Sequence, residues 1–170
     1  MTSRRPSPRP PTSSQRSSDP RYRAVHLLVE LERGRRTLDA LMEGMDASGG
    51  LRDGRDRDLL NAILYGVLRW RGRLDYIITR FSKTPLAKID LPILNILRTG
   101  VFQLIFLTRI PASAAVHTSV EMAKSMGAPW VGAFVNAVLR RTAAEHGSVR
   151  FPDPQKEPVR SLAAAYAFPE

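Results

Sequence analysis

The side chains that carry covalent or metal chemistry are scarce in this sequence and stand at unhelpful spacings. The three histidines, His26, His117 and His146, lie far apart, without the H-E-x-x-H or H-x-x-x-H spacing that sets two imidazoles on one helix face. Cysteine is absent, which removes disulfides, thiolate zinc sites, iron–sulfur ligation and thiol nucleophiles together. Asp53, Asp56 and Asp58 are close enough to hold a hard cation, but Arg52, Arg55 and Arg57 interleave with them and compete for the carboxylates. That segment reads as the charged start of a helix. Gly66 and Gly100 belong to no G-x-x-x-x-G-K-[ST] loop and no strand-borne G-x-G-x-x-G, and no G-x-S-x-G marks a serine nucleophile. Each glycine costs about 1 kcal/mol against alanine inside a helix, so close helix–helix approach is the expected reason for both. The expectation is a chain that is not an enzyme, with no metal and no cofactor.

Nucleic-acid chemistry is better supplied. The chain has 26 Lys+Arg against 16 Asp+Glu, a formal net charge of +10, and 22 of the cationic residues are Arg. The planar guanidinium fork suits phosphate better than a point charge does. Arg21 and Arg23 flank the apolar stripe of the first expected helix, directly after an arm that carries Arg4, Arg5, Arg9 and Arg16. Residues 1–23 hold a net +5, half of the whole surplus. If about four arginines neutralise phosphates, affinity for single strands falls with a log-log salt slope near −3. A second cluster is Arg69-Trp70-Arg71-Gly72-Arg73, with Tyr65 one turn before Arg69, a cation beside a stacking surface suited to unpaired bases. Trp70 itself reads as core at the stripe's edge. A third is Asn136 with Arg140, four residues apart on one helix face and followed by Arg141; ordinary helix solvation explains that pair equally well.

The elements that must position these residues are helices. Residues 1–18 hold four prolines and six serines with no apolar residue after Met1, so nothing there offsets the entropy of ordering, and a flexible basic tail is expected. Ser18 or Asp19 caps a first helix with Pro20 at its first position, Ala24, Leu27, Leu28 and Leu31 on one face, and Gly34 as its stop. Thr37 caps a second, which ends at Ser48-Gly49-Gly50. Leu59, Leu60, Ile63, Leu64, Val67 and Leu68 form the stripe of a third, and after a bend at Gly72 the period continues through Leu74, Ile77, Ile78 and Phe81. Asp90 caps a helix with Pro92 in its first turn that is apolar on most sides, so it belongs at the centre of a bundle. Ser113 caps the next, which Gly127 closes, and Trp130, Val131, Phe134, Val135, Val138 and Leu139 form the stripe of another. A weaker helix over residues 159–166 follows three prolines. No run alternates with period two over six residues, so the fold class is all-α.

The longest apolar stretch, Leu91 to Leu107, is broken by Asn95, Arg98, Thr99 and Gln103, whereas a membrane-spanning helix needs about 20 nearly uninterrupted apolar residues. No apolar region follows the basic N-terminus as a secretory signal requires. A cytoplasmic protein without a membrane partner is expected.

Several of these segments, taken in order, resemble one family. Tyr65 to Arg69 (YGVLR) followed by LDYII, then ILRTGVFQLIFLTRIPASAAV, VEMAK and FVNAVLR, resemble the NusB fold family. The pattern is most similar to the NusB-like N-terminal domain of the RsmB (Sun/Fmu) 16S ribosomal RNA cytosine-5 methyltransferases, and it covers roughly residues 19–170. Arg140 stands where free-standing NusB antitermination factors usually carry Asp, and Arg109-Ile110-Pro111 and LRWRGRLDYII also favour the methyltransferase branch. Ala114 to Thr118 reads AAVHT where the family usually has AAVNE, so His117 and Thr118 replace that Asn-Glu pair.

The resemblance implies a helical bundle of about seven or eight helices in two subdomains. Residues 1–18 are then a disordered basic tail, 19–147 the RNA-binding domain, and 148–170 a linker and short helix of the kind that leads into a methyltransferase domain absent from this sequence. It implies a noncatalytic module docking ribosomal RNA through Arg21, Arg23, Arg69, Arg71 and Arg73, with Asn136 and Arg140 as outliers, beside a catalytic methyltransferase domain. Two alternatives stay open: an antitermination factor binding single-stranded leader RNA with a ribosomal protein, and a helical protein–protein adaptor whose arginines only solubilise.

Overall fold

In the computed structural model, residues 19–34, 36–47, 51, 53–126, 128–153 and 155–166 are described. The expected basic tail, the Ser48-Gly49-Gly50 break and the Gly127 stop lie outside the described residues. Among them eight α-helices follow one another: α1 (Pro20–Glu32), α2 (Leu38–Ala47), α3 (Gly54–Arg69), α4 (Arg71–Phe81), α5 (Leu91–Phe106), α6 (Ala112–Met126), α7 (Pro129–Glu145) and α8 (Pro158–Tyr166). The fold is all-α, as the patterning requires.

The helix starts follow local chemistry. The Asp19 carboxylate accepts from the Arg21 N–H at 2.8 Å with Pro20 at the first helical position, and Asp53 accepts from the Arg55 N–H at 2.9 Å. Thr37 Oγ1 accepts from the Ala40 N–H at 3.3 Å, and Gly34, at φ 69°, takes the left-handed conformation that ends α1. Three boundaries differ from expectation. The bend falls at Trp70, not Gly72, because the chain turns where the indole can stack on Phe106, leaving Gly72 within α4. Ser113 caps nothing: α6 already runs from Ala112, and the Pro111 carbonyl accepts from Ala114 and Ala115. Asp90 holds the cap position of α5 without a side-chain capping bond.

Helix α5 packs against α1, α3, α4, α6 and α7 and is buried continuously from Ile93 to Gln103. Two glycines let neighbours reach it. A Cβ on Gly66 of α3 would run into the Phe102 ring, and one on Gly100 would lie 2.7 Å from Leu139 Cδ1 and 3.0 Å from Ser119 Oγ. On α7, Val131, Val135, Val138 and Leu139 fill the seam. Trp130 does not join them and is 68% exposed, since it stands one residue, about 100° of helix, off the Val131–Val135–Val138 line.

A polar knot sits inside this apolar bundle. Arg98, read in the sequence only as a break in an apolar run, is 2% exposed. Its Nε and Nη2 donate to the two oxygens of Asp75 on α4 at 2.6 and 2.8 Å, and Nη1 donates to Glu32 of α1 at 2.8 Å and to Asn95 at 3.3 Å. Burial opposes the guanidinium's charge, but the hydrogen bond and attraction of Asp75, then those of Glu32, outweigh it and hold Arg98 above the ordinary arginine value. Arg71 donates to the second oxygen of Glu32 at 2.8 Å. Two cations and two carboxylates thus balance, tying α1, α4 and α5 together.

Candidate nucleic-acid interface

Arg21 and the Arg69–Arg73 cluster are 48 or more residues apart in sequence, yet both are seated on the last turns of α5. Arg21 Nε donates to Gln103 Oε1 at 2.8 Å, while Gln103 Nε2 donates to the Thr99 carbonyl at 3.1 Å. A buried glutamine in an apolar helix must satisfy its amide, and it does so with its own backbone and with α1. One turn on, Phe106 stacks on Trp70 with ring centroids 5.3 Å apart and on Phe102 at 5.2 Å. Residues three apart on a helix are surface neighbours, so Gln103 and Phe106 bring the basic start of α1 beside the α3–α4 corner.

The corner itself is a cation–aromatic stack. The guanidinium of Arg69 lies 5.6 Å from the Trp70 centroid; that of Arg73 lies 5.9 Å from Trp70 and 4.7 Å from Phe151. Phe151 is held by Tyr76, whose ring is 5.2 Å away and whose hydroxyl donates to the Arg150 carbonyl at 2.9 Å. Arg73 Nε is buried without a hydrogen-bond partner among the described residues. Tyr65 stands 52% exposed one turn before Arg69, and Arg109 is exposed just past the end of α5. Trp70 is half-buried, so its reading as edge-of-core holds together with a partly open face.

The expected site residues divide accordingly. Arg69 is exposed and has no carboxylate partner among the described residues. Arg23 is half-buried on α1. Arg21 is committed to Gln103, and also lies 3.8 Å from Asp19. Arg71 is committed to Glu32, so its charge is already balanced. Asn136 and Arg140 are elsewhere, on α7, where Arg140 Nε donates to Asn136 Oδ1 at 3.0 Å. Sequence reasoning missed Gln103, Phe106 and Phe151. The available signal for Gln103 was an amide in a helix with no polar face, which demands a partner from another element. Among the described residues no group of three or more His, Cys, Asp or Glu is placed to hold a metal ion, and no helix is long and apolar enough to cross a membrane.

Comparison with known proteins gives the family and the fold. The family model described as "NusB family" matches residues 18–144. The probable ribosomal RNA small subunit methyltransferase B of Bacillus subtilis is 35% identical over 147 residues, 86% of this chain and 32% of the relative. The ribosomal RNA small subunit methyltransferase B of Pseudomonas putida is 33% identical over 141 residues, 83% of this chain and 31% of the relative. This chain therefore spans about a third of the length of these relatives. Among solved structures, T. maritima NusB superposes with a TM-score of 0.67 at 24% identity, covering 76% of this chain and 91% of that one, a likeness of fold.

Proposed function

This chain belongs to the NusB family, and from that premise we propose that it is a noncatalytic RNA-docking module whose target is small-subunit ribosomal RNA. It works beside a cytosine-5 methyltransferase unit that supplies the chemistry. The observation that carries this reading is the meeting of α1's basic start with the Arg69–Trp70–Arg73 stack across Gln103 and Phe106. Arginine forks hold phosphates, and the open faces of Trp70 and Tyr65 accept bases splayed from a loop. Arg69 carries the electrostatic part, joined by Arg23 through its position at the basic start of α1 and by the basic arm of residues 1–18. Arg21 and Arg73 contribute while anchored, and Arg71 contributes least because Glu32 already balances it. The names of the methyltransferase relatives support ribosomal RNA as the target.

The test is a salt titration of binding to a small-subunit ribosomal RNA fragment and to an unstructured RNA oligonucleotide. It uses the full chain and two charge-reversed forms, Arg69→Glu and Arg21→Glu with Arg23→Glu, each checked for an unchanged helical melt. Expected are tighter binding to the fragment and a slope shallower by roughly 0.7 for each phosphate that is no longer neutralised. Unchanged affinity in both charge-reversed forms would sink the proposal. Tight binding that appears only when a ribosomal protein is added favours an antitermination role, and weak, salt-insensitive binding favours an adaptor.

A further inference from the structure

Between α7 and α8, residues 149–153 cross the molecule without regular secondary structure. Val149 and Phe151 are half-buried against the core, and Arg150 between them is exposed, the alternation of an extended segment lying on a surface. Two residues of α4 hold this strap. The Tyr76 ring lies 5.2 Å from that of Phe151, and its hydroxyl donates to the Arg150 carbonyl at 2.9 Å. The Arg73 guanidinium lies 4.7 Å from the Phe151 centroid. Beyond the strap, α8 packs on α4 with Ser161 and Ala164 buried. A half-buried loop between two seated helices can lift without unfolding either one.

Arg73 belongs both to the strap and to the RNA-docking corner, and rings alone hold it. Among the described residues its guanidinium makes no hydrogen bond and no ion pair; it lies against Phe151 at 4.7 Å and Trp70 at 5.9 Å. Its Nε is buried without an acceptor. A buried donor on a charged group is costly to leave unpaired, and cation–π contacts offset only part of that cost. The edge formed by Nε and one Nη is also an edge with which arginine grips a phosphate in two parallel bonds. With Nε enclosed, that edge is closed to a ligand while Phe151 stays on the guanidinium.

We infer that residues 149–151 are an autoinhibitory strap that holds Arg73 in reserve and is displaced when RNA docks. A backbone phosphate takes the Nε edge of Arg73, the Phe151 ring gives up the guanidinium, and the strap lifts from α4. This rests on the RNA-docking reading and adds a control to it: Arg73 contributes in part while the strap is down and fully once it is up. RNA and strap compete for one side chain, so each weakens the other by the same factor. A strap that instead preorganised Arg73 for RNA would give the opposite sign, since losing Phe151 would then weaken binding.

The experiment measures an unstructured RNA oligonucleotide by fluorescence anisotropy across salt concentrations, on the full chain and on Phe151→Ala, Tyr76→Phe, Arg73→Gln and the pair Arg73→Gln with Phe151→Ala. Phe151→Ala is expected to tighten binding at least about fivefold and to steepen the salt slope by roughly 0.7. Tyr76→Phe, which removes only the hydroxyl that holds Arg150, should tighten it less and in the same direction, and it decides alone if Phe151→Ala alters the helical melt. In the Arg73→Gln chain, Phe151→Ala should change nothing. The sequence has no cysteine, so Val149→Cys supplies a single thiol in the strap, and RNA should speed its reaction with a neutral maleimide at least about fivefold. The inference is overturned if Phe151→Ala weakens binding or leaves it unchanged, if its gain persists without Arg73, or if RNA fails to speed the labelling. An original chain that binds no RNA sinks the RNA-docking reading and the strap with it; salt-dependent binding that Phe151→Ala does not tighten sinks the strap alone.

Discussion

Replacing Asp75 by Ala should cost this bundle more than replacing the arginine that Asp75 binds. In the intact protein the Arg98 guanidinium spends its hydrogens on Asp75 at 2.6 and 2.8 Å, on Glu32 at 2.8 Å and on Asn95 at 3.3 Å. With Asp75 gone, a charge on a side chain 3% exposed keeps only Glu32, which Arg71 already shares, and the Asn95 amide oxygen. Breaking a buried pair in this way costs about 3–5 kcal/mol. The Asp75 side chain is itself 21% exposed, so water reaches the vacated edge and the lower figure, about 3 kcal/mol, is expected. Arg98→Met strands no buried cation: Glu32 keeps Arg71, Asp75 can be hydrated, and the loss is about 1–2 kcal/mol. Arg98→Met combined with Asp75→Leu should return to within about 1 kcal/mol of the starting stability, because an apolar pair of similar volume replaces the ionic one. Urea unfolding reads this directly. At a slope of about 2 kcal/mol per molar, Asp75→Ala lowers the midpoint by roughly 1.5 M. The reasoning is refuted if Asp75→Ala is milder than Arg98→Met, or if the paired replacement is no better than the sum of its parts.

Three further outcomes are expected. Gly66→Ala pushes a methyl group into the Phe102 ring; overpacking of about 1–3 kcal/mol exceeds the roughly 1 kcal/mol gained in helix propensity, so the melting temperature falls, and Phe102→Leu in the same chain recovers part of it. Trp70→Ala removes the ring that stacks on Phe106 and should weaken an RNA oligonucleotide at least about fivefold while leaving the salt slope unchanged, since stacking is not ionic. Deleting residues 1–18, which removes Arg4, Arg5, Arg9 and Arg16, should shallow that slope by about 3 with the helical melt unaltered, as a gel-shift series across salt concentrations would read.

Most of the helices were legible from local chemistry. Asp19, Asp53 and Thr37 sit where their side chains satisfy free N–H groups, and the stripe from Leu60 to Val67 has a period that only a helix buries on one side. The near-uniform apolarity of α5 announced its central place, because a helix without a polar face needs neighbours all round. Gly66 and Gly100 were rightly read as points of close approach. The misplaced bend at Gly72 and the outward Trp130 show the limit: periodicity assigns a face, but at a helix end Trp70 goes where its ring finds Phe106 on another element, and Trp130, one residue off the buried line, stays in the open.

The sequence by itself determined the helical class, the starts of α1, α2 and α3 and the family, because each depends on residues within a few positions of one another or on motifs kept in order. The tertiary structure decided which arginines are spent. Arg98 is buried against Asp75 and Glu32, Arg71 is balanced by Glu32, Arg21 is anchored to Gln103, and Arg69 and Arg140 are left without a carboxylate among the described residues. A guanidinium looks the same in every sequence; whether its charge is available to a ligand depends on a carboxylate brought within 3 Å from dozens of residues away, and only the packing of helices does that.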